Sequence, residues 1–231
     1  MAYTIYTNVT GQYRHLADIY ESLTPEPLRT PEGSAEAFAA WAAPRVLDCA
    51  CGIGLLAVGM ALRGCETHAS DASPEMVART RTLAAEHGVD VHARVCAWED
   101  LEPGGDFDTV FCVGNSLTHA ADRRRALRGM AGKLRPGGTL VLTSRNWERE
   151  RAAGSRVEED GGIWRRWTIP ADWAAPHGLE VAVGGVREQL TFFPFGFETL
   201  VGDLAACGLR VSESTFAPDV ERYLVAATRV R

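Results

Sequence analysis

The stretch from Arg45 to Leu62 limits the possible folds more than any other part of the chain. Val46 and Leu47 open an apolar strand that Asp48 ends. Gly52 and Gly54 follow in a short turn, and Leu55 to Leu62 is an apolar run of helical length. Glycine lacks a Cβ, so the backbone turns sharply there and lets a ligand approach closely. Strand, glycine turn and helix N-terminus, in that order, are the layout of a nucleotide-binding crevice in an open α/β sheet. A tight βα turn without function has the same local pattern, so support must come from elsewhere in the chain.

The turn holds two glycines where a dinucleotide fingerprint needs a third. A pyrophosphate requires bare backbone N–H groups at the helix start, whereas a cofactor without phosphate does not. S-adenosylmethionine, with an adenosine, a cationic sulfonium and an amino-acid tail, suits an acid such as Asp48 followed by a Gly-x-Gly turn. Asp71 lies about twenty residues beyond the turn, at the end of a second strand, where a carboxylate accepts bonds from ribose hydroxyls. An ordinary residue approaching a helix is the alternative for Asp71.

Charge and composition exclude several classes. The chain has 231 residues and a net charge of -6, so it advertises no basic face for nucleic acid. It has no run of eighteen apolar residues, so no membrane span is expected. The first residues lack a basic region followed by an apolar core, so no signal peptide is expected either. Six cysteines include no Cys-x-x-Cys pair and fall mostly in apolar strands. They read as small core residues in a reducing, cytoplasmic compartment. No His or carboxylate cluster has metal-ligand spacing.

Taken in order, Gln12 to Leu23 has helical apolar spacing, with Leu16, Ile19, Tyr20 and Leu23 on one side. Ser34 is a candidate cap for a second helix over 35–43 that Pro44 ends. These helices form an N-terminal segment, 1–44, that covers the crevice as a lid or pads one sheet face. Ser73-Pro74-Glu75 starts a helix, with a capping hydroxyl, Pro at the first position and an acid in the first turn. Strands follow at 89–95, 106–113 and 139–143. Trp98, beside a strand end, either walls an adenine ring or belongs to the core. The helix over 121–134 carries Arg123, Arg124, Arg125 and Arg128, a run that reads as a solvated face. Beyond Arg156 the pattern turns antiparallel, with strands at 163–169, 179–183 and 187–193. A helix over 197–207 and two strands, 209–216 and 223–228, end the chain. Alternation of strand and helix in the first two-thirds predicts a parallel sheet with right-handed crossovers.

In combination these residues resemble a class I S-adenosylmethionine-dependent methyltransferase, and more narrowly the glycine/sarcosine N-methyltransferase group. The resemblance rests on Arg45 to Gly54, Asp71-Ala72-Ser73 with Met76, Trp98, Gly114-Asn115-Ser116 with His119, Leu134 to Gly138, and Arg145-Asn146. Leu190 to Pro194 fits a late strand of that group. It implies an α/β fold: a Rossmann-like, doubly wound, seven-stranded sheet, mostly parallel, with an antiparallel C-terminal edge hairpin. A small antiparallel insert at about 156–186 would interrupt a methyltransferase domain spanning 45–231. It implies that Asp48, Ala50, Gly52, Gly54, Asp71, Ala72, Met76, Trp98, Val113 and His119 hold the cofactor. Asn115 and Arg145 would meet the acceptor, with Arg145 on its carboxylate, since a guanidinium matches a carboxylate in a planar, bidentate way. A structural ion pair is the alternative for Arg145.

The group's late strand carries a tyrosine pair where this chain has Phe192-Phe193, and the N-terminal tyrosines are matched only by candidates, Tyr6, Tyr13 and Tyr20. Both departures favour an acceptor larger or more apolar than glycine. The resulting expectation is methyl transfer to the amine nitrogen of a small, carboxylate-bearing molecule. O-methylation of a small acid or natural product is the alternative, and a protein that only binds the cofactor is a third class. The partner is a small molecule rather than a nucleic acid or a membrane. The oligomeric state stays open, a homodimer included.

Overall fold

The structure is a computed structural model, and it describes residues 16–102 and 104–230. Strands β1 (Arg45–Asp48), β2 (Glu66–Asp71), β3 (His92–Val95), β4 (Phe107–Cys112) and β5 (Leu134–Arg145) lie parallel. With β10 (Leu209–Ser214) and β11 (Arg222–Arg229) they form a seven-stranded sheet in the order β10-β11-β5-β4-β1-β2-β3. Only β11 runs against its neighbours, so the C-terminal hairpin closes one edge as the sequence implies. The order reverses between β1 and β4, which creates a switch point at the carboxyl ends of those two strands.

Helices cover both faces. On one side lie α2 (Pro31–Ala37), α3 (Leu55–Leu62) and α4 (Pro74–Glu86); on the other, α5 (Arg123–Lys133) and α7 (Phe197–Ala206). Strand β4 is mostly apolar because both of its faces are buried; its polar residues are Asp108 and Thr109. Phe111 packs against Phe38 and Met60 on the first side, while Val110 and Cys112 join Leu127, Leu200 and Leu204 on the second. Helix α4 starts as the sequence predicts, with Ser73 Oγ accepting the N–H of Met76. Helix α2 does not. Thr30, rather than Ser34, caps it by accepting from Gly33, and Pro31 occupies the first helical position. Ser34 lies inside the helix, with its hydroxyl donating to the Leu28 carbonyl. The arginine run on α5 is not wholly solvated either. Arg123 and Arg124 both bind the buried carboxylate of Asp203 on α7, and Arg123 lies over the Phe195 ring.

Gly59 sets the closeness of α2 and α3. A Cβ there would run into the backbone carbonyl of Pro31 and meet the Ala35 methyl at 2.9 Å. Alanine favours helix by up to about 1 kcal/mol, yet Gly59→Ala is expected to lose ~1–3 kcal/mol through overpacking. Urea unfolding checks this, and a stabilised variant would show that α2 yields freely.

A second, four-stranded antiparallel sheet follows helix α6 (Trp147–Ala153). Its order is β6 (Arg156–Asp160), β7 (Ile163–Thr168), β8 (His177–Val183) and β9 (Val186–Phe192). It extends past 186 because β9 pairs with β8 in full register, His177 opposite Phe192. One face carries Trp167, Leu179, Val181, Leu190 and Phe192, packed with Ile19, Ile53 and Met76. Ile19 comes from helix α1 (Leu16–Leu23), so the N-terminal helix and the small sheet meet over the crevice.

Candidate active site

The switch point opens into a cavity of about 1430 Å³. Pockets for one drug-sized ligand run roughly 300–1,000 Å³, so this one has room for a cofactor and an acceptor together. Asp48, Ala50, Gly52, Asp71, Ala72, Met76, Trp98, Val113, Asn115, His119 and Arg145 all line it. Gly54 does not. Its positive φ of 94° makes the turn into α3, and a Cβ there would meet the Thr80 backbone at 2.9 Å. Its glycine is explained by backbone geometry and helix packing rather than by a ligand.

Asp71 ties the two cofactor-side turns together. One carboxylate oxygen accepts the N–H of Gly52 at 3.0 Å, and the other accepts that of Ser73 at 2.9 Å. A carboxylate has about four lone-pair positions, so these backbone bonds do not exhaust it and capacity remains for a ribose hydroxyl. Trp98 packs against the core and also lines the cavity. Its indole N–H donates to the Cys49 carbonyl at 2.7 Å.

Asp48 and Asp71 are unusual in having no basic partner within ion-pair distance among the described residues. Asp48 is 3% exposed. Burial, with a further push from Asp71, raises its carboxyl to about 7, against the bond from the Ala50 N–H. Burial likewise raises Asp71. Two desolvated carboxylates that lack counter-ions favour a cationic ligand. S-adenosylmethionine, with a sulfonium and an ammonium, fits this pair.

Tyr20 sits over the same place. A Cβ on Gly52 would come within 3.2 Å of the phenol, and one on Gly114 within 3.7 Å of its oxygen. The ring thus lies between the turns after β1 and β4. Burial first, then Asp71 and Asp48, pushes the phenol well above its usual range. Of the three candidate tyrosines, Tyr20 is the one seen here; Tyr6 and Tyr13 lie outside the described residues. His119 is neutral at neutral pH, since burial lowers it to about 4 against the Thr191 carbonyl 3.0 Å from Nδ1.

The acceptor side differs from the sequence expectation. Asn115 adopts φ 69°, the one positive-φ residue other than glycine among the described residues. Asparagine tolerates that region better than most side chains. Its amide oxygen accepts the Arg145 N–H at 2.9 Å and the Ser144 hydroxyl at 3.4 Å, which fastens the β4 turn to the end of β5. Arg145 already has carboxylates. Nη1 lies 2.5 Å from Glu150 and 3.1 Å from Glu221. Glu150 also holds Arg156 at 2.7 Å, and Glu158 joins Arg156 to the Trp167 indole N–H. Both guanidiniums lie over the Trp167 ring, 5.0 and 5.1 Å from its centre. The Arg145–Glu150 pair is the structural ion pair that the sequence leaves open as the alternative for Arg145; the wider network is not legible there. The Trp-Arg-Arg-Trp run at 164–167 reads only as a strand until β6, β7 and α6 come together. Phe192 packs against Trp147, Trp167 and His119 and lines the cavity.

Asp71→Asn is expected to weaken S-adenosylmethionine binding by ~10- to 150-fold, the loss of charge-assisted bonds worth about 1.5–3 kcal/mol. Calorimetry that returned wild-type affinity would take Asp71 out of the site.

Residues 46–138 match the profile of a methyltransferase domain family. Over 107 residues, 46% of this chain, the sequence is 44% identical to a ubiquinone biosynthesis O-methyltransferase of Xanthomonas euvesicatoria pv. vesicatoria. It is 43% identical over 107 residues to that of Xanthomonas axonopodis pv. citri. The match spans 44% of each of these relatives' length. Among solved structures, the CcbJ methyltransferase from Streptomyces caelestis superposes with a TM-score of 0.75 at 23% identity, covering 94% of this chain and 96% of that one. A S-adenosylmethionine-dependent methyltransferase from Clostridium acetobutylicum superposes with a TM-score of 0.76 at 15% identity, covering 97% and 100%. S-adenosylmethionine-bound CalS10, an amino pentose methyltransferase from Micromonospora echinaspora, gives 0.65 at 21% identity over 92% and 95%. Residues 46–138 thus carry a methyltransferase domain, and the chain as a whole shares the fold of these S-adenosylmethionine-dependent methyltransferases.

Proposed function

We propose that the protein transfers the methyl group of S-adenosylmethionine to a hydroxyl oxygen of a small molecule with an apolar body. The observation that carries this reading is one cavity with two unlike halves. One half holds an uncompensated carboxylate pair suited to a cation. The other is an aromatic and aliphatic wall of Trp167, Leu179, Leu190 and Phe192. The O-methyltransferase names of the relatives matched over part of the chain support oxygen as the acceptor atom. The pairing of Arg145 with Glu150 removes the feature that favoured a small amino acid.

When bound, S-adenosylmethionine supplies a methyl group already activated on a sulfonium. The chain's own residues then have mainly to position and to exclude water, which alone is worth several kcal/mol of barrier. Asp71 and the Gly52 turn fix the ribose, and Asp48 offers the negative charge that a cationic ligand requires. Tyr20 closes the space between the two glycine turns. The small sheet presents a dry face to the acceptor. Transfer would form the new C–O bond as the methyl–sulfur bond breaks, leaving S-adenosylhomocysteine, with the hydroxyl proton passing to water.

The test is product trapping. Methyl-labelled S-adenosylmethionine, incubated with the protein and a panel of phenols, alcohols and amines, is expected to yield a labelled methyl ether by mass spectrometry. A labelled methylamine would restore the amine reading. Tight cofactor binding with no transfer across the panel would leave a binding protein.

A further inference from the structure

Arg222 opens β11 and stands directly opposite Arg145 of β5, so the two side chains share one face of the sheet. Like charges in that position repel. The repulsion is relieved unevenly. Glu150 holds Arg145 at 2.5 Å, and Glu221 Oε1 lies 3.1 Å from Arg145 but 4.0 Å from Arg222. That 4.0 Å approach, from a largely exposed glutamate, is the nearest carboxylate to Arg222 among the described residues. Arg222 nevertheless lines the cavity, and Tyr20 across it feels its charge. The Arg222 side chain is 46% exposed, so water reaches it, while partial desolvation by the crevice walls and then Arg145 press its guanidinium toward losing its charge. The chain therefore places a cation in the crevice, next to the residue that covers the two glycine turns, and its one carboxylate within ion-pair distance among the described residues is Glu221, at 4.0 Å and shared with the closer Arg145.

Given the methyl-transfer reading, we propose that Arg222, rather than Arg145, recognises the acceptor, and that the acceptor carries a carboxylate besides its hydroxyl and apolar body. A single planar guanidinium offers a carboxylate two parallel N–H bonds, and Arg145, fixed by Glu150, serves to hold the wall in shape. Arg222 thus selects acids over their neutral counterparts, while the Trp167–Phe192 face takes the rest of the molecule.

The experiment uses the full chain loaded with S-adenosylhomocysteine and two probes, 4-hydroxybenzoate and 4-hydroxybenzamide, with binding followed by calorimetry. The acid is expected to bind at least about 10-fold more tightly than the amide, the effect of one charge-assisted contact. Arg222→Met should abolish that preference, and Arg222→Lys should restore part of it, with S-adenosylhomocysteine affinity serving as the control for folding. Equal binding of acid and amide to the wild type, failure of both to bind included, overturns the proposal. So does a preference that survives in Arg222→Met but vanishes in Arg145→Met. Failure of S-adenosylhomocysteine itself to bind would instead sink the methyl-transfer reading.

Discussion

Replacing Glu150 with alanine is expected to cost about 3–5 kcal/mol of folding stability, the usual penalty for removing one partner from a buried charge network. Glu150 is 4% exposed and its two oxygens serve different arginines, Arg145 of β5 and Arg156 of β6. Without it, two guanidiniums would face each other across the Trp167 ring with Glu158 and the exposed Glu221 as their remaining counter-ions. Glu150→Gln should lose less, because the amide keeps one acceptor oxygen and the volume. Urea unfolding at moderate salt measures both, and added salt should change the result little, since buried pairs are poorly screened. A loss below about 1 kcal/mol, the range of a surface pair, would mean that the network is solvated. Arg145 would then be available to a substrate carboxylate, as the sequence alone suggests.

The second large effect concerns pH. In the unfolded chain the Asp48 carboxyl titrates near 3.8, and in the folded, ligand-free protein near 7. Between those values the folded state holds the extra proton, so stability falls as pH rises. The contribution is fully present below the unfolded value and is gone once pH has passed through about 7. At about 1.4 kcal/mol per unit, the total is on the order of 4 kcal/mol. Asp48→Asn, which stays neutral, is therefore expected to raise the stability of the ligand-free protein most at pH 8, by less at pH 5, and hardly at all below pH 3.8. A cation reverses the preference by favouring the carboxylate. Affinity for S-adenosylmethionine should accordingly rise as pH increases toward 7, by up to ~30-fold from pH 5.5, with uptake of the ligand releasing a proton. Calorimetry in buffers of different ionisation enthalpy reads that proton directly. A pH-independent affinity, or the same slope in Asp48→Asn, would show that Asp48 does not face the ligand's charge.

These two residues differ in how far the sequence reveals them. Asp48 is legible because its role depends on its immediate neighbours: an apolar strand, then glycines whose positive φ values of 53° and 94° turn the chain back. Asp71 is legible for the same reason, through the Ser73 cap that starts α4. Glu150 is only five residues from Arg145, yet nothing local announces the pair. It forms because Asn146 caps α6 and aims Glu150 back toward β5, while Arg156, Glu158 and Trp167 arrive from a different sheet. Tyr20 illustrates the same point. Its helical register is readable, but its position over Gly52 and Gly114 depends on α1 packing against the small sheet.

The sequence by itself determined the alternating strands and helices of the parallel sheet, the antiparallel C-terminal hairpin and the glycine turn at the switch point. Each of these follows from short-range rules: burial on both faces of a strand, glycine where φ is positive, a hydroxyl where a helix begins. The tertiary structure alone decided which arginine is held closely by a buried carboxylate and which has only the more distant, exposed Glu221. That choice is set by charges brought together from β5, β6, α6 and β11. In a poorly screened interior the energy of a charge depends on its neighbours in space, and the order of residues along a chain does not specify those neighbours.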